Sequence, residues 1–244
     1  MRRRPPDGLD QVIAAALRVF GDKGYRRTQM ADVAREMGVS PGTLYGYVTG
    51  KEALFHLVID RAFVAGEPAP PPALPISTPP PGATLARLRE RLAADTAVAA
   101  LDTALRRARV VDPRAELAAI VGELYDRIAA SWRGIVVLER SALEWPELAR
   151  VFYAEARRGL LQRLERYLAA RMGAGLLPPT PSVAAAACFA LESVVWFAMH
   201  RHRHPDALVI DDVTARRTAV ALVVNALAGA EGPGRAPRKE PRRR

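Results

Sequence analysis

GYRRTQMADVAREMGVSPGTLYGYVTGKEALF, residues 24–55, decides how the rest of the chain is read. A first short helix begins near Thr28 and turns Met30, Val33, Ala34 and Met37 to one side. It stops at Gly38, where left-handed backbone costs glycine nothing. Val39 fills the corner. Ser40 is placed to accept from the first free amides of the next helix, and Pro41 stands at the first helical position, where its missing donor does no harm. That second helix runs from Pro41 to about Tyr47. Ala34 is small enough to let the two helices approach and Leu44 packs underneath, which is the layout of a helix-turn-helix.

The outward face of the second helix offers Ser40, Pro41, Gly42, Thr43, Tyr45 and Gly46. Small and hydroxylated side chains permit close approach to a major-groove floor, and Thr and Tyr can meet base edges or thymine methyls. Thr28 and Gln29, at the start of the first helix, and Tyr47, just past the second, complete the candidate DNA contacts together with Lys51. Lys51 opens a further helix, with Thr49 and Glu52 at capping-box spacing, and can hold a backbone phosphate there. For the tyrosines, packing between helices is the competing reading, because amphipathic rings serve both purposes.

Upstream, Leu9, Val12, Ile13, Ala16, Leu17 and Phe20 form one apolar stripe, with Asp7 as cap and Gly24 as stop. Downstream, GEPAPPPALPISTPPPG, residues 66–82, cannot be helical. It reads as a stiff connector, with a ligand for a proline-recognition module as the rival account. Beyond it the periodicity is again helical. One helix is expected over 84–109, with Leu85, Leu88, Leu92, Ala99 and Leu105 inward. A second starts at Asp112-Pro113 and carries Leu117, Ile120, Val121, Leu124, Ile128 and Trp132. A third runs from Pro146 to Gly173, and the last two span Val183–Met199 and about Val213–Ala228.

The expected architecture is all-α. A helix-turn-helix domain occupies 7–65, a Pro-rich connector 66–82 and a helical effector-binding and dimerisation bundle 83–230. Basic segments, 1–6 and 231–244, flank them. A domain of about 65 residues has little core of its own and is expected to pack on the rest.

The net charge of +10 over 244 residues suggests an anionic partner, with nucleic acid first among candidates. Its placement matters more than its sum. Residues 1–6 hold +3 and residues 232–244 hold +5, which leaves +2 for everything between; residues 7–65 contain seven bases and seven acids. Recognition by the helix-turn-helix must therefore rest on fit and not on a strong field. Cys188 is the sole cysteine, so an internal disulfide and multi-cysteine metal sites are excluded. No apolar run approaches the 18 or so residues of a membrane span, and the basic start leads into no apolar signal region, so a cytoplasmic protein is expected. GxSxG, HExxH and a phosphate-binding Gly/Lys loop are missing, which argues against an enzyme, and no cofactor or metal is expected.

Residues 24–55, with VSPGTLY followed by KEALF, resemble the DNA-binding region of the TetR family of bacterial transcriptional regulators. That resemblance implies that Tyr25 packs at the turn after helix one, that Thr43, Tyr45 and Tyr47 face DNA, and that Lys51 holds the backbone. Gln29, Val48 and Gly50 depart from the family's usual residues. It further implies a ligand-responsive regulator, a repressor released from a palindromic operator by a small molecule. A nonspecific basic nucleic-acid-binding protein acting through its tails is the alternative.

The resemblance also implies a ligand cavity in the C-terminal bundle and dimerisation through the last two helices. Trp132, Phe152, Tyr153, Trp196, Phe197 and His200 are the candidate walls of a site for a largely apolar effector, against a plain core role. Ala187, Leu191, Val194, Val195, Val220, Val224 and Leu227 are the candidate dimer contacts, against intramolecular burial. Cys188, among alanines, reads as a small buried hydrophobe and not a redox sensor. His200, His202 and His204 lack a carboxylate at ligand spacing, so the end of a basic helix accounts for them better than a metal.

Overall fold

The computed structural model describes residues 8–63, 73–107, 109–205 and 210–229. The Asp7 cap, the basic segment 1–6, the first part of the connector and the tail 231–244 fall outside the described residues. Among those described, the chain forms eleven α-helices and no strand.

The head is built from α1 (Gly8–Arg27), α2 (Met30–Glu36), α3 (Pro41–Tyr45) and α4 (Lys51–Arg61). Its local signals act as read. Gly38 has φ 68, in the left-handed region, and the Ser40 hydroxyl accepts from the Thr43 amide at 3.3 Å. Ala34 and Leu44 are buried. Two details differ. α3 ends at Tyr45, two residues early, and α4 is preceded by an extended Gly50 with no side-chain cap, so Thr49 and Glu52 form no capping box. The Thr49 hydroxyl instead lies 3.3 Å from that of Thr78.

This difference traces to the connector. Val48 and Ile76 form an isolated parallel bridge: Ile76 N donates to the Tyr47 carbonyl at 2.8 Å, and Thr49 N donates to the Ile76 carbonyl at 2.9 Å. The end of the connector is therefore docked on the segment that follows α3.

The body comprises α5 (Ala83–Asp95), α6 (Ala99–Arg106), α7 (Pro113–Ala142), α8 (Pro146–Ala149), α9 (Arg158–Gly173), α10 (Val183–Ala198) and α11 (Asp212–Ala228). A π-type wide turn, Arg150–Arg157, joins α8 to α9. The single helix expected over 84–109 is in fact two. Glu123 of α7 accepts from the amides of Ala99 and Ala100 at 2.9 and 2.8 Å and so starts α6 from outside. A cap supplied by another element leaves no trace in the local sequence.

Packing makes head and body one object. The 30-residue α7 contributes Val137, Leu138 and Ala142 to the apolar cluster of the head, and Leu117, Ile120 and Leu124 to that of the body. α1 lies along α7. Tyr25 packs between Phe55 and Trp145, at centroid distances of 4.8 and 5.0 Å, which ties α1 and α4 to the corner between α7 and α8. Such ring pairs add about 0.5–1.5 kcal/mol each beyond their burial.

Candidate DNA-binding surface and effector cavity

α3 is anchored by Leu44, which is fully buried, and everything else on it faces outward. Ser40, Pro41, Gly42, Thr43 and Tyr45 are exposed side by side, Gly46 is half-buried and Gln29 is exposed at the start of α2. Tyr45 is 48 % exposed, unusual for an aromatic ring unless a partner covers it. The Ser40 and Thr43 hydroxyls are 3.0 Å apart, which holds both at the leading edge of the helix.

Two of the expected DNA contacts are not on this surface. Thr28 is buried and its hydroxyl donates to the Gly24 carbonyl at 2.8 Å, closing the bend between α1 and α2. Tyr47 is 4 % exposed and belongs to the core. Tyr47 lies in the turn that follows α3, its amide donating to the Leu44 carbonyl at 2.9 Å, and its ring packs against Gly8 at the start of α1. Lys51 lies at the margin: its ammonium donates to the Arg26 carbonyl at 3.0 Å and sits 4.8 Å from the Tyr25 ring centroid. It ties α4 to the end of α1, and an ammonium has two further donors for a phosphate.

The charges of the head neutralise one another. Lys23 and Arg35 both reach Asp32, whose carboxyl is held below its ordinary range first by the Lys23 contact and then by the Gln29 amide. Arg18 pairs with Glu36, and Arg27 with Glu144. The balance counted in the sequence is thus realised as local pairs.

In the body, a cavity of about 290 Å³ lies among α5, α7, α10 and the wide turn before α9. Leu92, Leu124, Ile128, Ile135, Phe152 and Leu160 are part of its largely apolar wall, and its volume lies near the lower end of the 300–1,000 Å³ or so usual for small-molecule sites. Charged groups also reach it: Asp95, Arg127, Glu139, Arg157 and Glu192. Burial pushes the carboxyls of Asp95 and Glu139 up, against hydrogen bonding from Ser131 at Asp95 and nearby positive charge at Glu139. Sequence patterning hides these two, since an acid on a long amphipathic helix reads as a solvated face.

Of the expected cavity walls, Phe152 and Tyr153 line it and four do not. α10 presents Leu191, Glu192 and Val195 to the cavity, with Met199 just past its end; Trp196 and Phe197, one and two residues on from Val195, point about 100° and 200° away. Trp196 is 37 % exposed. The Phe197 carbonyl accepts from Arg201, and His200 is exposed in the 3-10 turn His200–Arg203. Trp132 stacks on His202 at 4.8 Å over a separate groove. No group of three potential metal ligands comes together among the described residues.

The expected dimer contacts also need correction. Ala187, Leu191, Val194, Val224 and Leu227 are buried within the protomer, and Val195 and Val220 are half-buried against the same core. α10 and α11 are apolar on several sides, so periodicity could not say which side meets its own bundle. The sides left open carry Phe189, Trp196 and Leu222, with Cys188, which is exposed and not buried as expected.

Residues 12–58 match the family described as bacterial regulatory proteins, tetR family. The HTH-type transcriptional repressor ComR of Escherichia coli (strain K12) is 38 % identical over 52 residues, 21 % of this chain and 25 % of that one. The HTH-type transcriptional repressor DrrR1 of Streptomyces coeruleorubidus is 38 % identical over 65 residues, 24 % of each chain. These matches span about a quarter of each relative. Over the whole fold, the TetR family transcriptional regulator PfmR of Thermus thermophilus superposes with a TM-score of 0.54 at 21 % identity, covering 91 % of this chain and 99 % of that one. The head thus matches the tetR family of bacterial regulatory proteins over residues 12–58, and the chain as a whole shares the all-α fold of a solved regulator.

Proposed function

We propose that the protein is a ligand-responsive, sequence-specific DNA-binding transcriptional regulator, a repressor that leaves a palindromic operator when a small molecule occupies the cavity. The observation that carries this reading is the exposed row Ser40, Thr43 and Tyr45 on a helix whose underside is fixed by Leu44. A fixed helix bearing small and hydroxylated residues suits major-groove readout. Gln29 and Lys51 flank it as candidate backbone contacts. Two linked binding equilibria account for the activity: operator favours one arrangement of the heads and effector another. No catalytic step is part of this reading, and its place of action is the cytoplasm, with the genome.

A single helix-turn-helix reads few bases, so the proposal includes a homodimer whose heads reach half-sites about one DNA turn apart. The open sides of α10 and α11, with Phe189, Trp196 and Leu222, are the proposed contact, replacing the residues committed to the protomer core. Isologous pairing of two helices from each protomer gives a four-helix interface.

The test is selection of bound sequences from a random duplex library. A palindrome is expected. If the recovered pool has no consensus, and removing residues 1–6 and 232–244 abolishes binding, the specific reading fails and the basic tails bind nucleic acid by charge alone.

A further inference from the structure

The cavity carries a charge imbalance that its own residues do not resolve. Arg127 donates to Glu123 at 3.0 Å and to the Ala94 carbonyl at 3.1 Å, and Arg157 pairs with Glu192. Both guanidinium groups at the wall are therefore committed. Asp95 is hydrogen-bonded only to a neutral group, the Ser131 hydroxyl at 2.7 Å, with Arg127 moderating its charge without contact, and is nine-tenths buried. Glu139 makes no hydrogen bond or ion pair among the described residues, although His200, Arg157 and Arg203 are close enough to moderate its charge. Two carboxyl groups thus line the cavity without a direct ion-pair partner.

Desolvated acids are costly when ionised and unpaired, which is why burial pushes both upward. An entering positive charge would remove that cost; an entering anion would add to it. The edge-to-face pair Phe152 and Tyr153, 4.7 Å apart and both at the wall, supplies π-faces of the sort that attract cations.

We propose that the effector is a lipophilic cation, an apolar body bearing a positively charged nitrogen that sits against Glu139 and Asp95. This rests on the cavity's being the effector site, and it adds the ligand's charge to that reading.

The probes are 6-phenylhexylamine, 6-phenylhexan-1-ol and 6-phenylhexanoate, which share one hydrocarbon and differ in charge. Titration calorimetry on the full chain without DNA should rank the amine first, the alcohol weaker by roughly tenfold or more and the carboxylate last. Glu139→Gln and Asp95→Asn should each weaken the amine and leave the alcohol nearly unchanged, with circular dichroism matching that of the parent. Equal binding of amine and alcohol, preference for the carboxylate, or no amine binding at millimolar concentration overturns the proposal. Library selection of DNA is independent of these outcomes: a chain that selects a palindrome yet prefers the alcohol loses only the cationic effector, and one that prefers the amine yet selects no sequence loses only the regulator reading.

Discussion

Arg91 Nη2 lies 2.9 Å from Asp60 Oδ1, joining α5 of the body to α4 of the head through two buried side chains. Arg87 Nε donates to the same oxygen at 2.7 Å. Four residues after Arg91, on the same helix, Asp95 faces the cavity, and α4 follows directly on the segment that carries α3. One carboxylate therefore sits between a wall of the cavity and the helix-turn-helix head.

Asp60 is the carboxylate that Arg87 and Arg91 share, and breaking a buried ion pair by removing one member is strongly destabilising, so Asp60→Ala should cost roughly 3–5 kcal/mol in urea unfolding. The pH dependence follows from the direction of the shift. Burial alone pushes the Asp60 carboxyl up, but the hydrogen bonds from Arg87 and Arg91 outweigh it and hold it below its ordinary value. A carboxyl depressed on folding contributes stability that is complete above its unfolded pKa and lost as pH falls through its folded one. Asp60→Asn should therefore flatten the acid limb of the stability profile; an unchanged limb would show that the cluster contributes nothing to it.

Thr43→Ala and Tyr45→Ala should each lower discrimination between selected operator and random duplex by about 1–3 kcal/mol, as loss of a base contact does. Both residues are exposed, so thermal stability should hold. Fluorescence anisotropy against the two duplexes measures the difference, and unchanged selectivity in both variants would sink α3 as the reader.

Thr28 separates scaffold from surface. Thr28→Val keeps the shape and strands the Gly24 carbonyl, so it should cost about 1–3 kcal/mol of stability while selectivity, measured on the folded fraction, is retained. Gln29→Ala, one residue on and exposed, should do the reverse: operator affinity reduced, with at most the small stability loss of a weakened α2 cap. If Thr28→Val relaxes sequence selectivity with no loss of stability, its placement in the scaffold is wrong.

What the sequence revealed and what it concealed divide along this line. Ser40, Pro41 and Gly38 act on their own backbone within a few residues, so their roles could be read from spacing. Thr28 and Tyr47 look like surface residues until α1 encloses them. The split between α5 and α6 depends on Glu123, more than twenty residues away. The cavity was least legible: Glu139 and Asp95 have the residue type and spacing of a solvent face, and only the convergence of four elements turns them inward.

The open sides of α10 and α11 give a fourth prediction. Phe189 is 45 % exposed and Leu222 53 % exposed. Phe189→Glu combined with Leu222→Glu should leave the protomer folded, produce a monomer in sedimentation velocity and weaken operator binding by at least about tenfold, because one head reads only a half-site. A double variant that still sediments as a dimer would place the interface elsewhere.

The junction of head and body gives the fifth. Gly134 of α7 faces the end of α4 so closely that an added Cβ would stand 2.8 Å from Ala62 Cβ and 3.1 Å from the Ala62 carbonyl oxygen. In an open helix, Gly→Ala gains about 1 kcal/mol of propensity. Here the methyl must displace α4, and overpacking of this kind costs typically about 1–3 kcal/mol, so Gly134→Ala should be net destabilising. Ala62→Gly removes the nearer obstacle and leaves the carbonyl. The double variant should therefore recover part of the loss and not all of it, and a double-mutant cycle by chemical unfolding should give a favourable coupling between the two sites. Additive effects would mean that α4 and α7 separate freely at this point, and the contact would then be no part of what holds the head to the body.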